Sequence, residues 1–245
     1  MVQKLKQKVM DGKEITKEEA MTLAEADLDE LCQAADEIRK HFCGNVFDIC
    51  SCINVKGGKC SEDCKFCPQS CFNDKVEVKP HTLIGSDQML EEAAYMAQKG
   101  VVRCDLVSSG RRLPKDDVRK IVQDIERIRK ETGIAVCCSF GLLDQEDCEM
   151  LRKAGITRLH NNLESSRTFF TGVCSSHSTD DKMATLRAAR ATGLTLCSGC
   201  LINLGESMED RIELALMERE LGVKSIPVNV LNPIKDSPFE DRKPM

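Results

Sequence analysis

Gly57-Gly-Lys-Cys60-Ser-Glu-Asp-Cys64-Lys-Phe66-Cys67-Pro-Gln-Ser-Cys71 is the stretch on which the chain is organised. Three thiols stand at C-x3-C-x2-C, directly after an apolar, β-branched segment. Two of them could pair and leave one over, but so tight a loop strains disulfide geometry. A structural zinc site would need a fourth ligand and would leave no position open. Three thiolates on a cubane iron–sulfur cluster leave one iron without a protein ligand, and chemistry can occur there.

Outward from this loop, strand and helix signals alternate. Val46 to Val55 reads as the first strand. Ser86 caps a helix over Met89–Gln98 that Gly100 ends, and Val101–Ser108 is the next strand. Asp116–Thr132 is an amphipathic helix with Val118, Ile121, Val122, Ile125 and Ile128 as its apolar residues. The pattern continues as strand Ile134–Phe140, helix Asp144–Ala154, strand Thr157–Leu163 and helix Asp180–Ala191. It closes with strand Leu194–Leu204, helix Ser207–Leu221 and strand Ser225–Leu231. Upstream, residues 1–44 read as an extension of two helices, opened by a capping box at Thr16–Glu19 and by Asp27.

Regular helix-to-glycine-to-strand joins predict an α/β domain with a parallel sheet over residues 45–245. Six βα units running in one direction suit a (β/α) barrel of the TIM type. A doubly wound open sheet is the alternative, and no G-x-G-x-x-G follows the first strand to favour its dinucleotide-binding form. The last stretch, Ile234–Met245, reads as polar loop. Six strands leave a barrel with parallel edges that need covering: either another element covers the edge, or the barrel is truncated before its last strands.

Composition narrows the function classes. The 245 residues are 41% hydrophobic but only 4% aromatic, so aliphatic, Cys and Met side chains must fill the core. Net charge is −5 with no basic tract, which argues against nucleic acid. No apolar run reaches the roughly 18 residues of a membrane span, and the N-terminus is too polar for a signal peptide. Fifteen cysteines without an export signal predict reduced, cytoplasmic thiols and metal sites. Cys32, Cys43, Cys148 and Cys174 read as small buried hydrophobes.

In parallel α/β folds, sites gather at the C-terminal ends of the strands. The strand ends here offer Cys104, Cys137, His160, Asn162, Glu164, Cys197, Cys200 and Asn229. Cysteines on three strands could meet inside a barrel around a second metal centre, or simply fill a crowded interior. Cys197-x2-Cys200 could chelate one ion or form a redox pair. Asn162 and Glu164, two apart on a strand, would share a face suited to ribose hydroxyls or a urea-like group. Glu164 could equally cap the next helix. Lys182 reads as a surface helix residue.

The cysteine loop, together with His160-Asn-Asn-Leu-Glu-Ser-Ser, Cys197-Ser-Gly, Leu204-Gly-Glu-Ser and Ile226-Pro-Val-Asn-Val-Leu, resembles the radical S-adenosylmethionine superfamily and, within it, the biotin synthase family. The likeness runs from about residue 15 to the end. It implies a sulfurtransferase inserting sulfur into dethiobiotin. Cys60, Cys64 and Cys67 would bind a [4Fe–4S] cluster whose fourth iron takes the amino and carboxylate groups of S-adenosyl-L-methionine. One-electron cleavage of that cofactor would then supply a 5′-deoxyadenosyl radical. By the same resemblance, Phe66 would lie beside the adenine, and Asn162 and Glu164 would meet the ribose. Lys182, where the family usually has Arg, would stand near the cofactor carboxylate. Asn162 and Asn229 would contact the ureido ring of the substrate.

Cys104, Cys137 and Cys197 would hold the auxiliary cluster that donates sulfur. In the family a [2Fe–2S] form takes an Arg from a strand beyond the last one here. Cys200 stands where Gly is usual, and four thiolates would suit a four-iron centre. A homodimer, with flavodoxin or ferredoxin as electron donor, is also implied. Other readings are a related radical enzyme, hydrogenase-maturation or mutase-like, and a catalytically silent Fe–S- or Zn-binding fragment. Cys71 falls outside the motif.

Overall fold

In the computed structural model, which describes residues 1–243, five strands pair in parallel in chain order. They are Cys50–Lys56 (β1), Arg103–Ser108 (β2), Ala135–Ser139 (β3), Arg158–His160 (β4) and Thr195–Cys197 (β5). Each strand lies beside its predecessor. A doubly wound sheet would reverse its order at a switch point, so the arc is of the barrel kind.

The strand expected over Leu194–Leu204 is broken at Ser198-Gly199. Its second part, Cys200–Ile202 (β6), pairs in parallel with Val228–Val230 (β7). Bridges Cys197–Ser225 and Glu164–Cys200 carry the arc across the break. A Cβ at residue 199 would lie 2.0 Å from the Pro227 carbonyl oxygen, so only glycine lets the backbones approach there.

Helices cover one face of the arc. They are Ser86–Gln98 (α4), Lys115–Thr132 (α5), Gln145–Lys153 (α6), the short Arg167–Phe170 (α7), Thr179–Ala191 (α8) and Met208–Leu221 (α9). Capping boxes open α6 at Asp144, α8 at Ser178 and α9 at Ser207. Each such cap contributes about 1 kcal/mol by satisfying free N–H groups. Gly133, left-handed at φ 71°, ends α5. Ser86 is the first helical residue rather than the cap; Gly85 holds that position without a side-chain bond.

Side chains alternate across a strand, and register partners share a face. Ile53, Val55, Cys104, Leu106, Val136, Cys138, Leu159 and Leu196 therefore point to the helices and pack with Ile121, Ile125, Leu151 and Leu186 in one buried cluster. Burying each large aliphatic side chain there contributes roughly 1.5–3 kcal/mol. The other face lines the lumen.

Upstream lie three helices rather than two: Val2–Met10 (α1), Lys17–Leu23 (α2) and Leu28–Cys43 (α3). The lysines of α1 mask its periodicity, but Val2 and Leu5 are buried. Lys17 pairs with Glu209 of α9 at 2.5 Å, and Arg219 donates to the Ile15 carbonyl at 2.8 Å. β1 starts at Cys50, not Val46, and Val46 and Phe47 are exposed. Cys32 and Cys43 are also exposed, against expectation, whereas Cys148 and Cys174 are buried. The polar tail is turn and coil as far as Lys243; Pro244 and Met245 lie outside the described residues. Among the described residues no helix is long and apolar enough to cross a membrane.

Candidate functional site

The cysteine loop leaves β1 at its C-terminal end and is closed by its own backbone. Cys60 N–H donates to the Gln69 carbonyl at 2.7 Å, and Cys71 N–H to the Cys60 carbonyl at 2.8 Å. Gln69 Oε1 accepts from Gly58 N–H at 2.6 Å, and Ser70 Oγ donates to the Glu62 carbonyl at 2.7 Å. Cys60, Cys64 and Cys67 are half-buried, and burial pushes all three thiols up from their ordinary range. Cys71 is exposed.

These three cysteines, Phe66, Glu164 and Lys182 line one cavity of about 200 Å³, together with Glu62, Gly110, Arg111, Gly141, Asn161 and His177. The structure thus brings six of the predicted residues to one place from the β1 loop, the β4 end and α8. Lys182 is not a surface residue. It is buried, its Nζ donates to the Asn162 carbonyl at 2.8 Å, and it lies 5.1 Å from the centre of the Phe170 ring.

Glu164 has φ 72°, a left-handed conformation that non-glycine residues rarely adopt. It is pinned there, because its N–H donates to the Gly199 carbonyl and its carbonyl accepts from Leu201 N–H, each at 3.0 Å. Backbone strain of this kind costs roughly 1–3 kcal/mol and collects at functional sites. Burial raises the Glu164 carboxyl, offset in part by the Lys182 charge and an Asn162 hydrogen bond. β4 ends at His160, so the common face expected for Asn162 and Glu164 does not come from strand alternation. Asn162 Oδ1 is buried without a partner. Asn229 is exposed on β7, its amide 3.4 Å from the Cys200 carbonyl, and does not line this cavity.

A network around Glu62 and Asp63 was not anticipated. Glu62 Oε2 contacts His177 Nδ1 at 2.6 Å, Ser176 Oγ at 2.8 Å and Arg111 at 3.3 Å. Burial alone would raise its pKa, but these partners hold it below the usual range. Asp63 Oδ1 accepts the N–H groups of Ser175 and Ser176 at 2.8 and 2.9 Å. Two adjacent acids inside a cysteine loop were the available signal.

The lumen face carries a second group. Register aligns Cys52, Asp105, Cys137 and Arg158 across β1 to β4, and pairs His160 with Cys197. Cys137 Sγ donates to the Cys104 carbonyl at 3.5 Å, and the neighbouring Cys50 thiol, then burial and the Asp105 charge, drive its pKa far up. Asp105 Oδ2 accepts from Ser139 Oγ at 2.6 Å, while Oδ1 is buried without a partner. Burial raises Asp105 to about 6. His160 Nδ1 lies 3.2 Å from Cys197 Sγ, and burial followed by the Lys182 charge lowers His160 to about 4.

Two members of the expected auxiliary set face elsewhere. Cys104 sits one residue out of phase with Cys137 across the β2–β3 register and packs, fully buried, among the helix-facing residues. Asp105 takes the lumen position instead. Cys200 lies beyond the break, at the start of β6. It lines a groove under α9 with Ile202, Leu214 and Ala215. The lumen thiols beside Cys137 and Cys197 are Cys50 and Cys52, which sequence reading left unassigned.

Comparison with known proteins places the chain by sequence and by fold. The model of the radical SAM superfamily matches residues 54–217. Biotin synthase 2 of Corynebacterium diphtheriae is 51% identical over 238 residues, 97% of this chain and 72% of that protein. Biotin synthase of Brachyspira hyodysenteriae is 47% identical, covering 98% and 72%. In fold, the chain superposes on the crystal structure of methylornithine synthase with a TM-score of 0.84 at 23% identity, covering 98% of this chain and 72% of that one. The [FeFe]-hydrogenase maturase HydG gives 0.79 at 20% identity, covering 97% and 57%.

Proposed function

The chain belongs to the radical SAM superfamily and, within it, to the biotin synthase family, and from that premise we propose how its own residues serve insertion of sulfur into dethiobiotin. The observation that carries the reading is the shared cavity of Cys60, Cys64, Cys67, Phe66, Glu164 and Lys182 at the C-terminal end of the parallel arc.

The residues present fit the groups the family implies. Cys60, Cys64 and Cys67 would hold a [4Fe–4S] cluster, and burial that disfavours free thiolates is reversed once iron binds them. S-adenosylmethionine would lie against the cluster and, when bound, supplies one-electron cleavage to a 5′-deoxyadenosyl radical. Lys182 would meet its carboxylate, and Phe66 would stack on the adenine. The unpartnered Asn162 Oδ1 and the strained Glu164 would accept from hydroxyl or ureido N–H groups. The protein's task is to orient these parts and exclude water.

The lumen group would hold the auxiliary centre. Cys137 and Cys197 stay in that assignment, and Cys50, Cys52 and Asp105 join it in place of Cys104 and Cys200. The unpartnered Asp105 Oδ1 supports this reading. Asn229 as a substrate contact, a homodimer, and flavodoxin or ferredoxin as electron donor belong to the same proposal.

The test is an anaerobic assay with S-adenosylmethionine, reductant and dethiobiotin. Cys64→Ala should abolish both 5′-deoxyadenosine and biotin. Cys137→Ala should abolish biotin while 5′-deoxyadenosine still forms. If Cys137→Ala made biotin at the parent rate, the lumen assignment would be wrong.

A further inference from the structure

Cys174 and His177 have no part in the reading above, yet both reach Cys64. Cys174 Sγ lies 3.6 Å from Cys64 Sγ, 3.3 Å from His177 Nδ1 and 3.9 Å from His177 Nε2. Among the described residues, Cys64, Cys174 and His177 are the one set of three metal-binding side chains whose donor atoms all lie within 4.8 Å of one another. A tetrahedral zinc ion holds thiolates at about 2.3 Å and imidazole at about 2.0–2.1 Å, which spaces two sulfurs about 3.8 Å apart and sulfur from nitrogen about 3.6 Å. The Cys64–Cys174 separation of 3.6 Å and the Cys174–His177 Nε2 separation of 3.9 Å are close to that spacing. Cys60, Cys64 and Cys67 are not drawn together in this way, as suits thiols that span a larger cluster.

The surroundings are those of a prepared ligand. His177 Nδ1 lies 2.6 Å from Glu62 Oε2, and both side chains are buried. A carboxylate accepting from one ring nitrogen fixes the tautomer and leaves the other, here Nε2, free to bind a metal. Glu62 is held in turn by Ser176 and Arg111. Asp63 fixes the 174–176 turn through two backbone N–H groups, and its Oδ1, 3.1 Å from Cys174 Sγ, can offer an oxygen to a fourth position.

We propose that Cys64, Cys174 and His177 form a mononuclear site for a soft divalent cation of the zinc type, filled when Cys64 is not held by a cluster. The cation displaces one proton from each thiol, and no electron moves. Sharing Cys64 makes the two metal states exclusive. The ion would tie the cysteine loop to the segment before α8 and would have to leave before a cluster could form. The inference needs only these side chains and stands apart from the assignment of Cys60 and Cys67.

Protein stripped of iron under anaerobic, reducing conditions would be titrated with Co²⁺, whose thiolate charge-transfer and tetrahedral ligand-field bands report the donors. Other thiols also bind cobalt, so the comparison is between variants. Cys174→Ser and His177→Ala should each lose the tightest equivalent, and Glu62→Gln should weaken it roughly 10- to 100-fold. Cys60→Ser and Cys67→Ser should keep it. Loss of that equivalent in Cys60→Ser or Cys67→Ser with retention in Cys174→Ser would overturn the proposal. X-ray absorption on the parent protein with one equivalent of Zn²⁺ gives a test free of folding effects. Two sulfur neighbours with imidazole are expected, and four sulfurs would overturn it.

Discussion

Glu218 offers a prediction whose size follows from its surroundings. It lies on α9 beneath the break between β5 and β6, with 0% exposure. Ser198 Oγ donates to its Oε1 at 2.7 Å, and Oε2 has no partner. Burial first, and then the nearby Glu164 charge, raises its pKa from an ordinary 4.5 to about 7, against the Ser198 bond that lowers it. The folded state therefore keeps a proton that the unfolded chain releases. The contribution to stability is whole below about pH 4.5, falls as pH rises through about 7, and is flat beyond. At 1.36 kcal/mol per pKa unit the loss is about 3 kcal/mol. Glu218→Gln keeps the acceptor and removes the ionisation. Its amide leaves a buried donor unpaired, at a cost of about 1–3 kcal/mol that does not change with pH. Urea unfolding at pH 5 and pH 8, which spans most of that titration, should show the parent losing about 2.5 kcal/mol more than the variant between the two. Parallel pH profiles for the two proteins would refute the reasoning, since the other buried groups are common to both.

Two further outcomes follow from side-chain direction and close packing. Cys200→Ala should leave iron and sulfide content after anaerobic reconstitution unchanged, whereas Cys197→Ala should lower both; equal losses would put Cys200 back in the lumen set. Gly199→Ala must move the Pro227 backbone from 2.0 Å, so its denaturation midpoint should fall by an amount worth about 1–3 kcal/mol.

The parallel α/β plan was legible because each helix carries its own stop and start. Asp144, Ser178 and Ser207 sit where capping boxes form, and Gly133, Gly193 and Gly222 all take positive φ after their helices. The cysteine loop was legible because its thiols are adjacent in sequence. Which strand-end thiols share the lumen was read less well because it depends on the side of the strand each one faces. Cys104 shares a face with Leu106, and Cys138 with Val136, but period two within each strand cannot say whether Cys137 or Cys138 joins the face of Cys104. The register, which sets Cys104 beside Val136 and Asp105 beside Cys137, decides it. Cys174 and His177 could not be linked to Cys64 from sequence, because 110 residues separate the two thiols and only the folded loops bring them together.

Sulfur tracing tests the central claim most directly, that lumen thiols hold a sulfur donor within reach of the radical site. The protein would be reconstituted with iron and ³⁴S-labelled sulfide, freed of unbound sulfide, and given a single turnover with S-adenosylmethionine, reductant and dethiobiotin. The account predicts biotin carrying ³⁴S in the parent protein and none from Cys137→Ala or Cys197→Ala. Unlabelled biotin, or 5′-deoxyadenosine without biotin, would contradict it.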